Sequence, residues 1–247
     1  MIIGVLIFSR YDSQRLPGKA LAKINGQELL GRVIDRSKAL VGIDGIAVAT
    51  SDKRIDEQVA FFSTSKKVRV FRGEEDDVAK RAIDACAYYG WDAFVRICGD
   101  RPFFDTSIVN TAIEIFIDKN CDLVTTSGEY ALPPGLTTEI VSLSALKRDY
   151  ERYSEHDKEH LTSYIYKNIA QFEICYLNYP SICKAVFPTT LAVDTEKDLQ
   201  RVTWILDQLG SEVEPTKQST RDLLELAMCW EENYLTCSSK IIAKRKK

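Results

Sequence analysis

Apolar residues come in five short, nearly continuous runs, Ile2–Phe8, Ile46–Thr50, Val68–Phe71, Phe94–Cys98 and Leu123–Thr126, each of strand length. Between them the spacing becomes helical. Leu29, Val33, Ile34 and Ser37 mark one helix; Val78, Ala82, Ala85, Cys86 and Tyr89 lie on the i, i+4, i+7, i+8, i+11 stripe of another; a third covers Ile108 to Ile117. Strands apolar on both faces and alternating with helices predict a parallel sheet covered on both sides, its crossovers right-handed. The first half is thus expected to be a doubly wound α/β unit.

After Leu132 the rhythm loosens. A Pro133-Pro134-Gly135 turn leads to an extended Thr138–Ser142, a helix from Leu143 and a polar stretch around Tyr153–His160. Extended Phe172–Leu177 and a short Leu191–Val193 precede a helix over Glu196–Leu209, and Thr220 is placed to cap a last helix through Trp230. No repeat, low-complexity linker or shift of composition divides the chain, so one domain with an inserted subregion is expected.

Composition narrows the partners. The 247 residues are 45% hydrophobic and 28% charged, an ordinary globular balance. Lys and Arg total 33 against 36 Asp and Glu, a net charge of -3, so no global positive field draws the chain to nucleic acid. Any anion site must be built locally. The seven cysteines include no C-x-x-C pair, which suggests neither a zinc site nor a disulfide framework, and points to a reduced, cytoplasmic compartment. The opening MIIGVLIF has no basic n-region and is too short to cross a membrane, so it is read as a strand. The tail Lys240–Lys247 carries five basic residues, read as a solvated terminus in preference to a phosphate contact.

Candidate chemistry is concentrated behind the first strand, in Ser9-Arg10-Tyr11-Asp12-Ser13-Gln14-Arg15-Leu16-Pro17-Gly18-Lys19-Ala20-Leu21, with three cations in ten positions. Open α/β sheets bind ligands beyond the carboxyl ends of their strands, so phosphate belongs here. Arg10, Arg15 and Lys19 together would offset most of the charge of a nucleoside triphosphate, the guanidiniums bridging oxygens and the ammonium acting as a point charge. Pro17-Gly18 would turn the chain tightly and bring Lys19 back. The loop is neither a Walker A nor a G-x-G-x-x-G sequence, and a merely basic surface loop is the competing reading. Asp100, in Gly99-Asp100-Arg101-Pro102 at the end of the fourth run, would face the same cleft; with phosphate oxygens it suits Mg²⁺, and its alternative is a cap on the following turn. Asp194 also ends an apolar run, but it stands where a helix N-cap is expected.

The stretch Ser9–Leu21 resembles the S-x-R-L-P-G-K-x-L signature of bacterial cytidylyltransferases, the family of CMP-Kdo synthetases and the spore coat polysaccharide protein SpsF. Supporting pieces follow in order: Val48-Ala49-Thr50-Ser51-Asp52, Arg72-Gly73-Glu74-Glu75-Asp76-Asp77-Val78, Gly99-Asp100-x-Pro102, Lys158-Glu159-His160-Leu161-Thr162-x-Tyr164-Ile165 and Val193-Asp194-Thr195-x-x-Asp198-Leu199. The fourth is more similar to the SpsF branch. The resemblance implies a GT-A-like, Rossmann-like fold in one nucleotidyltransferase domain: a nucleotide-binding half over 1–131, an acceptor and dimerisation subregion over 132–190, and C-terminal helices with the basic tail over 191–247.

It also implies roles. Arg15, Lys19 and Asp100 would be catalytic; Ser9, Arg10, Ser13, Ala49, Thr50, Ser51, Asp77 and Arg81 would join Arg15 and Lys19 around the nucleotide. Asp100 and Asp194 would hold Mg²⁺. Arg101, Glu139, Glu159, His160 and Tyr164 would face the acceptor, His160 and Tyr164 on one helical face, with packing or capping as their alternative. Arg101 departs from the small or neutral residue common in the family; either it meets an acidic acceptor or it points away into a salt bridge. The expected reaction transfers CMP from CTP to an acidic sugar or a phosphorylated acceptor and releases pyrophosphate, by in-line attack without a covalent intermediate, in a homodimer. Two other classes compete. A GT-A glycosyltransferase would hold its metal with a D-x-D-like motif, and none stands at a strand end here; a non-catalytic nucleotide-binding protein would not need Lys19, Asp100 and Asp194 together.

Overall fold

The computed structural model describes residues 1–210 and 219–245, with side chains as far as residue 233. The strands are β1 (Ile3–Phe8), β2 (Lys23–Ile24), β3 (Gln27–Glu28), β4 (Gly45–Ser51), β5 (Arg69–Gly73), β6 (Ala93–Cys98), β7 (Leu123–Thr125), β8 (Glu139–Ser142) and β9 (Ile174–Tyr176). All five apolar runs are strands, within a residue or two of their expected ends. The helices are α1 (Leu29–Ser37), α2 (Glu57–Ser65), α3 (Val78–Tyr89), α4 (Thr106–Lys119), α5 (Leu143–Lys147), α6 (Glu155–Glu159), α7 (Ser163–Lys167), α8 (Glu196–Leu209) and α9 (Thr220–Arg245).

One seven-stranded sheet runs β5-β4-β1-β6-β8-β7-β9, and β2 and β3 form a separate hairpin. β1 lies parallel between β4 and β6, in register Gly4 to Gly45 and Ile3 to Ala93. Because β1 alternates, Ile3, Val5 and Ile7 pack on one face against Leu30 and Val33 of α1 and Ile113 and Phe116 of α4. Leu6 points to the other face, onto Ala79, Ala82 and Cys86 of α3. Fully burying each such branched side chain contributes about 1.5–3 kcal/mol, which is why β1 is apolar on both faces. A third apolar layer joins α8 and α9 to Phe103, Leu132, Leu191 and Val193.

The second half completes a mostly parallel sheet, as expected, and corrects two other expectations. β8 enters between β6 and β7 and is antiparallel to both, so the sheet is parallel except for that strand. Leu191–Val193 forms no strand; it is pinned by Leu191 N–H on the Pro134 carbonyl (2.8 Å) and Val193 N–H on the Asp100 carbonyl (2.9 Å). Thr220 is the first residue of α9, not its cap: the Ser219 hydroxyl accepts from Asp222 N–H (3.3 Å), while Thr220 donates to Asp105. Beyond residue 233 the side chains, including Cys237 and the basic tail, lie outside the described residues. The other six cysteines are free thiols. Among the described residues no helix is long and apolar enough to cross a membrane.

Candidate active site

Three sequence-distant segments meet beyond the carboxyl ends of β1 and β6. The first is the loop after β1. Asp56, 1% exposed, accepts from Tyr11 N–H (2.6 Å) and Ser51 N–H (3.2 Å), tying the start of the loop to the end of β4. The Tyr11 carbonyl accepts from Ser13 N–H (3.0 Å) and Gly18 N–H (2.9 Å), which closes the loop on itself. Gly18 has φ +75°, a left-handed conformation that favours glycine, and it opens the 3-10 turn Lys19–Leu21. Lys19 is thereby returned to the strand end, as Pro17-Gly18 led us to expect.

The second segment is Gly99-Asp100. Gly99 N–H donates to the Phe8 carbonyl (2.8 Å), and a Cβ at Gly99 would lie 2.7 Å from Cβ and Oγ of Ser9. Only glycine lets the two strand ends approach this closely. The third is Val193-Asp194, brought in by the Val193 N–H bond to Asp100. Here Thr195, not Asp194, caps α8: its hydroxyl accepts from Asp198 N–H (3.3 Å), and the Asp198 carboxylate accepts from Thr195 N–H (2.9 Å). The Asp194 carboxylate is left for another purpose.

That purpose is visible in its partners. Lys19 Nζ donates to Asp100 Oδ2 (2.8 Å), Asp194 Oδ1 (2.9 Å) and the Val193 carbonyl (2.8 Å), and Arg15 Nη2 reaches the same Asp194 oxygen (3.0 Å). An ammonium has three N–H donors, so Lys19 has none left over. Burial would lower the Lys19 pKa, but Asp100 first and then Asp194 outweigh it, and the group sits above its ordinary value of 10.5. The quartet lines a cavity of about 380 Å³ together with Ser9, Arg10, Ser13 and Glu159. Two carboxylates already gathered around one cation are hard oxygen donors of the kind Mg²⁺ takes. Among the described residues no group of three or more His, Cys, Asp or Glu could hold a metal alone, so phosphate or water oxygens would have to complete such a shell.

Other expected site residues lie elsewhere. Ala49, Thr50 and Ser51 are buried in β4, and Ser51 hydrogen-bonds Asp56. Asp77 caps α3 by accepting from Lys80 N–H (2.7 Å) and also receives the Tyr150 hydroxyl. Arg81 is buried, donating to the carbonyls of Glu74 and Glu75, and burial lowers its pKa to about 10. Glu139 does not face solvent: Arg96, the Tyr166 hydroxyl (2.6 Å) and the Thr162 hydroxyl (3.4 Å) all donate to it. Burial would raise its pKa, but the Arg96 guanidinium beside it holds the carboxyl below the usual range. Tyr164 is packed on Tyr153 with ring centroids 4.7 Å apart, in the core below α7. It does not share a helical face with His160, because α6 ends at Glu159 and His160 is its exposed C-cap, 4.5 Å from the His156 ring. Arg101 forms no ion pair among the described residues; it donates to the Thr137 carbonyl (2.6 Å), and its charge helps to lower the Glu139 carboxyl.

The sequence reading missed several residues on these walls. Asp12 and Gln14 line the cavity, and with Arg10, Glu75, Asp76 and His156 they continue into an adjoining cavity of about 660 Å³. Asp12 and Gln14 lay inside the quoted loop but carry no cationic signal. Glu75 pairs with Arg10 (3.4 Å) and with Lys53, a cross-loop contact no spacing rule reveals.

An α/β sheet with a cationic loop and two aspartates at its carboxyl edge defines a nucleotide-handling enzyme class. The cytidylyltransferase family model matches residues 4–232, and the chain belongs to that family. SpsF, the spore coat polysaccharide biosynthesis protein of Bacillus subtilis, is 28% identical over 214 residues, 83% of this chain and 86% of SpsF. The 3-deoxy-manno-octulosonate cytidylyltransferase of Acinetobacter baumannii is 31% identical over 125 residues, 49% of each chain. A cytidylyltransferase structure from Leptospira borgpetersenii superposes with a TM-score of 0.83 at 26% identity, covering 94% of this chain and 96% of its own.

Proposed function

We propose that this cytidylyltransferase moves CMP from CTP onto an oxygen of an acidic sugar, releasing pyrophosphate, for surface polysaccharide synthesis in the cytoplasm. The observation behind it is the single cavity where Arg15 and Lys19 stand against Asp100 and Asp194. The acceptor class is taken from the octulosonate-specific relative, and the pathway from SpsF.

In this reaction the acceptor oxygen bonds to the α-phosphorus of CTP in line with the departing pyrophosphate oxygen. Arg10 and Arg15 clamp phosphate oxygens, and Lys19 leaves its aspartates to meet the charge that moves onto pyrophosphate. Ser9 and Ser13, on the cavity wall, offer hydroxyls to the nucleotide. Asp100 and Asp194 would hold Mg²⁺, which when bound supplies positive charge at the phosphate oxygens. Glu159, on the wall of both cavities, would face the acceptor, with His160 and Arg101 behind it in this reading, and the active form would be a homodimer.

The test mixes the protein with Mg²⁺, each of the four nucleoside triphosphates and a panel of sugar acids, and measures pyrophosphate. Release with CTP and a sugar acid is expected. No pyrophosphate from CTP with any sugar acid, or nucleoside diphosphate released when an activated sugar replaces the triphosphate, would overturn the proposal.

A further inference from the structure

We infer that Arg15, Lys19, Asp100 and Asp194 form an exchange lock, in which the groups that take phosphate and the groups that take metal neutralise each other until both ligands arrive together. The identity of the nucleotide rests on the cytidylyltransferase reading; the lock itself rests on geometry. All three ammonium donors of Lys19 are engaged within the chain, and Asp194 Oδ1 receives both Lys19 and Arg15. Lys19 is well covered, its side chain 14% exposed.

Either ligand alone is opposed. A divalent cation settling between Asp100 and Asp194 must evict the ammonium, leaving a covered cation with only a carbonyl for a partner. A polyphosphate drawing Lys19 and Arg15 away must leave two carboxylates that both lay within 2.9 Å of one nitrogen facing each other unneutralised. A metal–nucleotide complex carries both charges and exchanges every pair at once: aspartates to metal, cations to phosphate. Each ligand therefore strengthens the other, and by linkage the effect is reciprocal. Arg10 is outside the lock, since its ion pair is with Glu75.

The lock makes two counter-intuitive predictions for the full chain, read as binding and not as turnover. With Mn²⁺ as the probe, followed by electron paramagnetic resonance without nucleotide, Lys19→Met should bind the ion about tenfold or more tighter than the wild type, within the usual span of site coupling. Arg10→Met, with the same charge change, should not. With CTP as the probe in excess chelator, Asp194→Asn should bind nucleotide about tenfold tighter, although it removes a metal ligand. Lys19→Gln repeats the first arm should Lys19→Met not melt cooperatively. Unchanged or weaker Mn²⁺ binding in the folded Lys19 variants, or weaker metal-free CTP binding in Asp194→Asn, overturns the lock. If CTP binds neither the wild type nor any variant while the Mn²⁺ arm behaves as expected, the lock stands and the cytidylyl assignment falls.

Discussion

Gly99→Ala tests how the two strand ends create the cavity. The added Cβ would sit 2.7 Å from both Cβ and Oγ of Ser9 and 3.3 Å from the Phe8 carbonyl oxygen. The first two contacts are closer than packed atoms tolerate, and the third leaves little room to retreat because the Phe8 carbonyl already holds Gly99 N–H at 2.8 Å. The ends of β1 and β6 must therefore separate by a few tenths of an ångström or more. Overpacking of this kind costs about 1–3 kcal/mol, which for a chain of this size lowers the melting temperature by about 2–12 °C. The larger effect is expected on activity, since the loop that carries Arg15 and Lys19 rides on one end and Asp100 on the other. A misplacement on the order of 1 Å costs about 100-fold in rate. Calorimetric melting and pyrophosphate release would be compared for wild type, Gly99→Ala and Gly99→Ala with Ser9→Gly, the last relieving the clash and restoring the melting temperature. A Gly99→Ala protein with wild-type melting and wild-type turnover would refute the close-approach account.

Lys19→Ala and Asp100→Asn should each lower turnover by about 100-fold or more while shifting the melting temperature by only a few degrees, because Asp100 and Asp194 are partly exposed and solvent screens what is lost; paired kinetic and melting curves check this. Glu139→Gln leaves the Arg96 guanidinium without its buried counter-charge, and breaking such a pair costs about 3–5 kcal/mol, so urea titration should show a markedly earlier midpoint. Burial would raise the carboxyls of Glu139, Asp105 and Asp198, but Arg96, the hydroxyls of Ser107 and Thr220, and Thr195 with Arg201 hold them below their ordinary values of 4.5 and 3.8. Depressed carboxyls stabilise the fold above the unfolded values and withdraw that support as pH falls through the folded ones; the melting temperature should therefore decline steadily below pH 4.5, and a flat profile down to pH 3 would contradict these pairings.

How much of this was legible depended on the range of each signal. The sheet's core was legible because β1, β4 and β6 are covered on both faces, and continuous apolar runs report that directly. α2 escaped notice because its apolar residues do not share a side: Val59 is buried while Phe61 is 79% exposed. The β2–β3 hairpin did carry a signal, Asn25-Gly26 with φ +48° and +79°, a turn pair that favours hairpins. The meeting of Lys19 with Asp100 and Asp194 was foreseen from strand ends and family pattern together, neither of which supplies the Val193 carbonyl as a third partner. The acceptor side was less readable. Glu139 and Tyr164 look like site residues in a motif, yet a short α6, ending before His160, turns Tyr164 into the core, and Arg96 claims Glu139 from the neighbouring strand. Such choices are made by tertiary neighbours, which local spacing does not encode.

The bond from Lys19 to Val193 spans 174 positions of the chain. A ribosome must therefore release the chain beyond Val193 before Lys19 can meet its carbonyl, so this pairing cannot form on a shorter nascent stretch. The same arrangement operates in reverse in the mature molecule. Peeling α8 away would carry Asp194 off while the central strands persist, so heat or protease should silence catalysis before it destroys the scaffold.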